Sequence, residues 1–390
     1  MKRPTDIYLD NAATTPIDPR VLTSMLPYLK ERYGNPSSLH FNGRIANGAI
    51  EESREVIAKI IGAERDEIIF TSGGTESDDL AIFGIARGNK DRGGHIIVSS
   101  IEHKAVLDSC KRLEKEGFEI TYLSVDKNGI ISLDELKKSI RPDTILVSIM
   151  YANNEIGSIQ PIKKISKIIR ESKVSNPIFH SDACQAAGAL SLDVKDLGVD
   201  ALTISSSKVY GPKGVGCLYL RRGYLIEPII YGGGQERGIR SGTENVASVV
   251  GFSEALKIAD KKRIVESKRV TLLRDYFLSK IIKSIKRASL NGGIKERLPN
   301  NINISISGVE GEALLLLLDD KGVSCSTGSA CSSSDLNPSH VLIRIGTPIE
   351  LAHCSIRFTL GRYTKKADLD YSVKILLESV KKIRGMSTIK

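Results

Sequence analysis

Between residues 67 and 206 the chain alternates short apolar runs with longer amphipathic ones, and this alternation constrains the fold more than any other feature. The runs EIIFTSG (67–73), HIIVSS (95–100), EITYLSV (119–125), TILVSIMY (144–151), PIFHSDA (177–183) and ALTISS (201–206) have the length and the β-branched content of strands. Helical patterns fall between several of them. IEESREVIAKIIG (50–62) sets Ile50, Ile57, Ile60 and Ile61 on one broad face and stops at Gly62, a residue suited to a left-handed helix cap. Strands that alternate with helices predict an α/β fold whose sheet is largely parallel.

The last third changes style. KKRIVESKRVTLLRDYFLSKIIKSIKR reads as a long helix, NNINISIS (300–307) as a strand, and EALLLLLDDKG (312–322) as a helix ending at Gly322. SIRFTLG (355–361) reads as another strand and DLDYSVKILLESVKKI (368–383) as a terminal helix. A chain of 390 residues exceeds what one core usually serves. The expected division is a large domain over 13–255. Residues 1–12 and 256–390 would form a smaller α+β domain.

Composition narrows the function classes. The longest apolar run, ALLLLL at 313–318, is too short to span a membrane. The start MKRPTDIYLD has no apolar segment of signal-peptide type, so a cytoplasmic protein is expected. Six cysteines without CxxC pairs read as reduced thiols. The net charge is +10, with much of the excess between Lys257 and Arg287. A solvated helix face explains that run; a dock for an acidic protein or RNA is the sharper alternative. No aromatic-rich RNA-binding pattern accompanies it and the chain has no Trp, so nucleic acid is not an expected partner.

Three motifs carry chemistry. FTSGGTES (70–77) follows a strand and precedes an apolar helix, DDLAIFGIA. Inward-turned amides and a helix N-terminus make a phosphate site; a plain Gly-rich turn would read the same way. In SSSKVYGPKG (205–214), Lys208 stands at a strand end beside three hydroxyls, as a surface charge or as an amine kept for imine chemistry. In HSDACQAAG (180–188), Asp182 sits at a strand end, where a parallel sheet binds its ligands, with Gln185 three residues on. A lysine, an acid and an anion site together suit pyridoxal phosphate.

With those motifs in hand, the chain resembles the cysteine desulfurases of the NifS/IscS type, pyridoxal-phosphate enzymes of fold type I in the class-V aminotransferase family. The resemblance runs from YLDNAATTPIDPRV (8–21) through GNPSSLH (34–40), TSGGTES, EHKAV (102–106), NNEIGSIQP (153–161), SDACQAAG, SKVYGPKG, GGGQERGIRSGT (232–243) and TGSACSSS (327–334) to SIRFTLGR (355–362). It implies a large domain with a mostly parallel, seven-stranded type of sheet flanked by helices, plus the smaller C-terminal α+β domain. It also implies that Lys208 holds the cofactor as an imine, that Asp182 pairs with the ring nitrogen and that His103 stacks on the ring. Gln185 would bond the phenolic oxygen and Asn153 would lie against cofactor and substrate. Gly74, Thr75, Ser205 and Ser207 would hold the phosphate, with Thr243 reaching in from a second subunit of a homodimer. Arg357 would grip the substrate carboxylate, and the loop at about 323–335 would carry the nucleophile, Cys331.

The reaction so implied converts L-cysteine to L-alanine. The sulfur is captured as a persulfide on Cys331 and passed to an iron–sulfur scaffold protein or another acceptor, such as a tRNA-thiolation enzyme. Lys208 would act as base at Cα and His103 would move protons near the leaving sulfur. No resident metal is expected, beyond transient iron–sulfur ligation by Cys331. The alternative is another fold-type I aminotransferase or lyase, such as a selenocysteine lyase, which needs no reactive loop thiol. Two departures stand out: Ser207 where the family usually has His, and Cys325 where serine or alanine is common. Cys325 follows the helix stop at Gly322 closely and is expected to pack rather than travel.

Overall fold

The computed structural model describes residues 6–327 and 338–386. The strands in chain order are β1 (Ile7–Tyr8), β2 (Ile68–Thr71), β3 (His95–Ser99), β4 (Glu119–Leu123), β5 (Thr144–Ser148), β6 (Ile178–Asp182), β7 (Ala201–Ser205), β8 (Gly216–Leu220), β9 (Ala288–Leu290), β10 (Asn301–Ile306), β11 (Val323–Ser324) and β12 (Ser355–Thr359). Seven of them form one sheet in the order β2-β8-β7-β6-β5-β3-β4. The pairs β3–β4, β3–β5, β5–β6 and β6–β7 are parallel, and β8 runs antiparallel to both of its neighbours. All six apolar runs of the first two thirds are strands of this sheet. The seventh strand, β8, is the run GCLYL, fully buried on both faces and entered directly from a Gly-rich turn. Unlike the other buried strands, GCLYL has no β-branched residue, so it lacks the composition that marks those runs as strands.

Helices cover the two faces. The helix Phe41–Ile61 buries Ile50, Ile57 and Ile61, with Ile60 partly covered. It ends at Gly62 with φ 73°, whose N–H returns to the Ala58 carbonyl. A second apolar cluster lies on the antiparallel sheet β12-β10-β9 and gathers Ile302, Ile304, Ile306, Ile356 and Phe358 with Leu314, Leu318, Leu369 and Leu376 from covering helices. Ile7 and Leu9 belong to this cluster too, brought there by the parallel pairing of β1 with β11.

One helix, Val246–Ser284, joins the two cores. It has 39 residues, about 58 Å at the usual rise. Val246 to Ala259 pack in the first cluster, and Val270, Phe277 and Ile281 pack in the second. Residue 255, where the domain division was expected, therefore lies within a continuous helix. The run VASVVGFSEALKIA is mostly buried and has only Glu254 and Lys257 as charged residues, so it lacks the broad polar face that marks the second half as helical.

A buried charge cluster ties the two parts beside Lys208. Arg362, just beyond β12, bonds Asp18 through Nη1 at 2.8 Å and Glu266 on the long helix through Nε at 2.9 Å. Its guanidinium lies 4.1 Å from the ring centroid of Tyr210. Tyr210 takes a left-handed φ of 67° and is held there by the Thr15 hydroxyl, which accepts its N–H at 2.8 Å. The side chains of Arg362 and Asp18 are both nearly buried; Arg20 also pairs with Asp18, so removing Arg362 leaves that carboxylate partnered and takes a donor from Glu266. Arg362→Ala is expected to lower stability by about 1–3 kcal/mol in a denaturant titration; a loss below about 0.5 kcal/mol would show that this cluster does not tie the two parts.

Candidate active site

Parallel strands present their carboxyl ends at one edge, and that edge holds the site. Asp182 ends β6, Ser205 ends β7, and Ser207 and Lys208 follow in the next turn. Because β8 is antiparallel to both β2 and β7, β2 points the same way as β7 and ends at the same edge. Gly216 is paired with Thr71 on one side and Ser205 on the other. A Cβ on Gly216 would stand 2.8 Å from both the Gly73 carbonyl carbon and the Ile204 oxygen. The bare backbone at Gly216 thus lets the glycine turn after β2 close against the serines after β7.

These groups line one cavity of about 420 Å³ together with His103, Asn154, Gln185 and Arg357. Gly74 opens a helical stretch that continues through a π-turn at Leu80–Gly84 to Gly88. Its missing side chain matters, since a Cβ there would lie 2.8 Å from the Cys184 sulfur. Across the cup, the hydroxyls of Ser205 and Ser207 are 3.2 Å apart. Backbone amides at a helix start with two hydroxyls opposite suit a phosphate. Ser207, where the family usually has His, keeps a hydrogen-bonding group in that cup.

The N-terminal segment crosses the cavity. Lys208 Nζ donates to the Ala13 carbonyl at 2.6 Å and Gln185 Nε2 to the Ala12 carbonyl at 3.0 Å. Thr15 donates its N–H and its hydroxyl to the Ser207 carbonyl, each at 2.9 Å. Asp182 Oδ1 accepts the Cys184 amide at 2.8 Å and still lines the cavity. His103 caps the helix Lys104–Glu114, its Nδ1 accepting from the Ala105 amide, and its ring borders the cavity. Sequence reasoning passed over the Ala12–Thr15 segment, which offers mainly backbone and so leaves no chemical signature.

Two expected residues are placed differently from the rest. Asn153 is fully buried and turned into its own loop: Nδ2 donates to the Ile101 carbonyl, and Oδ1 accepts the amides of Glu155 and Ile156. The cavity is lined instead by Asn154. Thr243 is exposed and does not line this cavity. Arg357, by contrast, is no exposed strand arginine; it is 3% exposed, donating to Asp10 Oδ1 and to the Asn154 carbonyl at 2.9 Å each. Among the described residues its Nε has no hydrogen-bond partner. Burial pushes the Asp10 carboxyl up, against the pull of Arg357.

The described part of the cysteine-bearing segment is anchored. Residues 323–324 form β11, and Ser326 pairs through its backbone with Arg357, at 3.1 and 2.6 Å. Cys325 packs against the smaller core, and burial pushes its thiol well up. Beyond the segment, the Ser339 hydroxyl donates to Glu155 Oε2, and His340 Nε2 lies 3.1 Å from the Glu102 carbonyl. Cys331 lies outside the described residues.

Glu102 and Glu155 are buried acids that motif reading did not single out. Burial raises Glu102 to about 8 and Glu155 to about 7, against the bonds Glu102 accepts from Ser99 and the Met150 amide and Glu155 from Ser339. A carboxyl with a raised folded pKa binds more protons folded than unfolded. Its contribution is complete below about pH 4.5 and is lost as pH rises to about 8. Glu102→Gln is therefore expected to gain on the parent chain by about 1.4 kcal/mol per pH unit across that window. Denaturant midpoints at several pH values measure this; a constant difference would mean Glu102 is ionised throughout.

Comparison with known proteins bears on this arrangement. Residues 7–371 match the family described as aminotransferase class-V. A cysteine desulfurase IscS from Dictyoglomus turgidum is 55% identical over 390 residues, covering 100% of this chain and 98% of the relative. The IscS of Methanosarcina thermophila is 51% identical, covering 98% and 94%. Among solved structures, a NifS-like protein superposes with a TM-score of 0.91 at 37% identity, covering 97% of this chain and 100% of that one. SspA in complex with cysteine gives a TM-score of 0.80 at 37% identity, covering 92% and 100%.

Proposed function

The chain belongs to the class-V aminotransferase family, and on that premise we propose that it works as a pyridoxal-phosphate-dependent cysteine desulfurase, taking sulfur from L-cysteine and leaving L-alanine. The observation that carries this reading is the convergence of Lys208, Asp182, the Gly74–Ser205–Ser207 cup and Arg357 on one cavity. The residues present fit the cofactor. Lys208 offers an amine for its aldehyde, Asp182 an acid for its ring nitrogen and the cup a cradle for its phosphate. His103 would lie on the ring, Gln185 would bond the ring oxygen, and Asn153, through the loop it braces, would set Asn154 against the substrate. When bound, pyridoxal phosphate withdraws electrons from Cα of the amino acid joined to it.

The chain's own groups do the rest. Arg357 grips the substrate carboxylate, for which its orphaned Nε is a ready donor. Lys208, once released, takes the Cα proton; His103 handles a proton at the sulfur. The Cys331 thiolate attacks the substrate sulfur, so an S–S bond forms as the C–S bond breaks. The carbon side takes up a proton and leaves as alanine, and the enzyme keeps the persulfide. Atoms balance without an external oxidant: one cysteine and one thiol become one alanine and one persulfide.

The persulfide then passes to an acceptor protein, such as a scaffold for iron–sulfur assembly or a tRNA-thiolation enzyme. The protein acts in the cytoplasm as a homodimer. Among the described residues no helix is long and apolar enough to cross a membrane. In the dimer Thr243, exposed on its own subunit, completes the partner's phosphate cup. Sedimentation at assay concentration is expected to find only dimers active; a fully active monomer would remove Thr243 from the site.

Incubation with L-cysteine, reading alanine and protein-bound persulfide together, tests the reaction. Lys208→Ala is expected to lose the yellow chromophore and all turnover. Cys331→Ser should still bind the cofactor and cysteine but make neither persulfide nor alanine at the normal rate, and Cys325→Ser should keep most activity. A Cys331→Ser variant that turned over normally would favour a lyase or aminotransferase of the same fold.

A further inference from the structure

A second carboxyl, which the proposed reaction leaves unused, lies beside Asp182. Asp78, on the helix Gly74–Asp79, is 1% exposed and lines the same cavity. Its Oδ1 has no hydrogen-bond partner. The groups facing it come from several elements: Asp182 and His180 from β6, Cys184 just after that strand, Thr203 from β7, Glu102 from the segment after β3, and Asp79 on its own helix. His180 and Asp182 are two residues apart on one strand and so share a face.

Of these groups only His180 could carry positive charge. It lies 3.8 Å from Asp78 Oδ1, but its ring nitrogens are engaged with the hydroxyls of Thr203 at 3.0 Å and Ser148 at 2.9 Å. It is completely buried, and burial pushes its pKa down to about 3, so it is neutral at neutral pH. Two neighbouring carboxyls withdrawn from water disfavour ionising together, even with Lys208 lining the same cavity. Asp182 has the Cys184 amide to stabilise its charge, and it ends its strand at the cavity edge. Among the described residues Asp78 Oδ1 has no such donor; burial and the Asp182 charge hold its carboxyl well above the usual range, against a hydrogen bond from the Thr203 hydroxyl.

We propose that Asp78 is a positioning residue: a neutral acid that keeps the proton of this carboxyl pair and leaves Asp182 as the single anion facing the cofactor's ring nitrogen. The inference rests on the pyridoxal-phosphate reading of the cavity. Its chemistry is one of charge. A second anion beside Asp182 would raise the proton affinity of both carboxyls, and Asp182 would then compete with the ring nitrogen for its proton. With Asp78 neutral, the proton stays on the ring.

Infrared difference spectra of the parent chain against Asp78→Asn, taken with and without cofactor, test the proposal. The parent is expected to show, at neutral pH, a protonated-carboxyl C=O band that the variant lacks. An amide mimics a neutral acid in shape and charge. Asp78→Asn should therefore retain cofactor within about twofold in dialysis, whereas Asp182→Asn should lose more than about tenfold. Absence of the band would overturn the proposal by showing Asp78 ionised. Loss of cofactor from Asp78→Asn as severe as from Asp182→Asn would overturn it by showing that an anion is needed there. Failure of the parent to bind the cofactor would overturn the cofactor reading instead, and the infrared result on the cofactor-free protein would still report on Asp78.

Discussion

The close approach of three backbones at Gly216 governs the site. One strand in seven runs against the rest, and it begins where β2 and β7 end. Any side chain at that start would press on the Gly73 carbonyl carbon and the Ile204 oxygen at 2.8 Å. With glycine there, two segments far apart in sequence close into one cup, with amides on one side and hydroxyls on the other. On the proposed reading the cup would hold the cofactor's phosphate, with Asp182 and Lys208 lining the same cavity. A sheet of strictly parallel neighbours would set β2 directly against β7 and leave no room for this gap.

The site is also defined by what surrounds its cations. The chain is basic overall, at +10, yet the groups packed around the cavity include several buried acids: Asp10, Asp78, Glu102 and Glu155. Burial lifts each of them toward neutrality. A neutral acid can donate or accept a hydrogen bond without adding a net charge, whereas Glu76, which also lines the cavity, is held low, against burial, by bonds from Arg240 and Ser72. Arg357 is the counterpart. Its contacts with Asp10 and the Asn154 carbonyl fix the guanidinium plane while Nε stays without a partner.

The sheet was legible because parallel strands covered by helices leave runs of β-branched residues with helices between them. Lys208, Asp182 and the Gly74 turn were legible for a related reason: they stand immediately after such runs. β8 was missed because GCLYL, entered from a Gly-rich turn, has none of the β-branched residues that mark the other buried strands. The first half of the helix Val246–Ser284 was missed because a mostly buried run with only Glu254 and Lys257 charged has no broad polar face. Asn153 illustrates a different limit. The motif NNEIG marks a functional loop, but which of two adjacent asparagines faces the cavity depends on the loop's backbone, and there Asn153 is consumed in bracing Glu155 and Ile156. Asp78 and Glu102 are acids next to residues of obvious interest. Only burial, with Asp78 Oδ1 and Glu102 Oε2 left without a partner among the described residues, distinguishes them from ordinary polar neighbours, and burial is not written in sequence.

The two thiols of the CSTGSAC run differ in what holds them. Cys325 is fixed between β11, which pairs with β1, and Ser326, whose backbone bonds Arg357 in both directions. A thiol in that position sits in apolar packing with its pKa raised, so it is protonated and a poor nucleophile at neutral pH. The same anchoring serves the reaction in another way. Because Ser326 is bonded to the strand that carries Arg357, the root of the cysteine-bearing segment is registered against the residue assigned to the substrate carboxylate. A change in the β12 register would move Arg357 and the root of the cysteine-bearing segment together, so the distance between them is preserved by backbone pairing rather than by side-chain contacts.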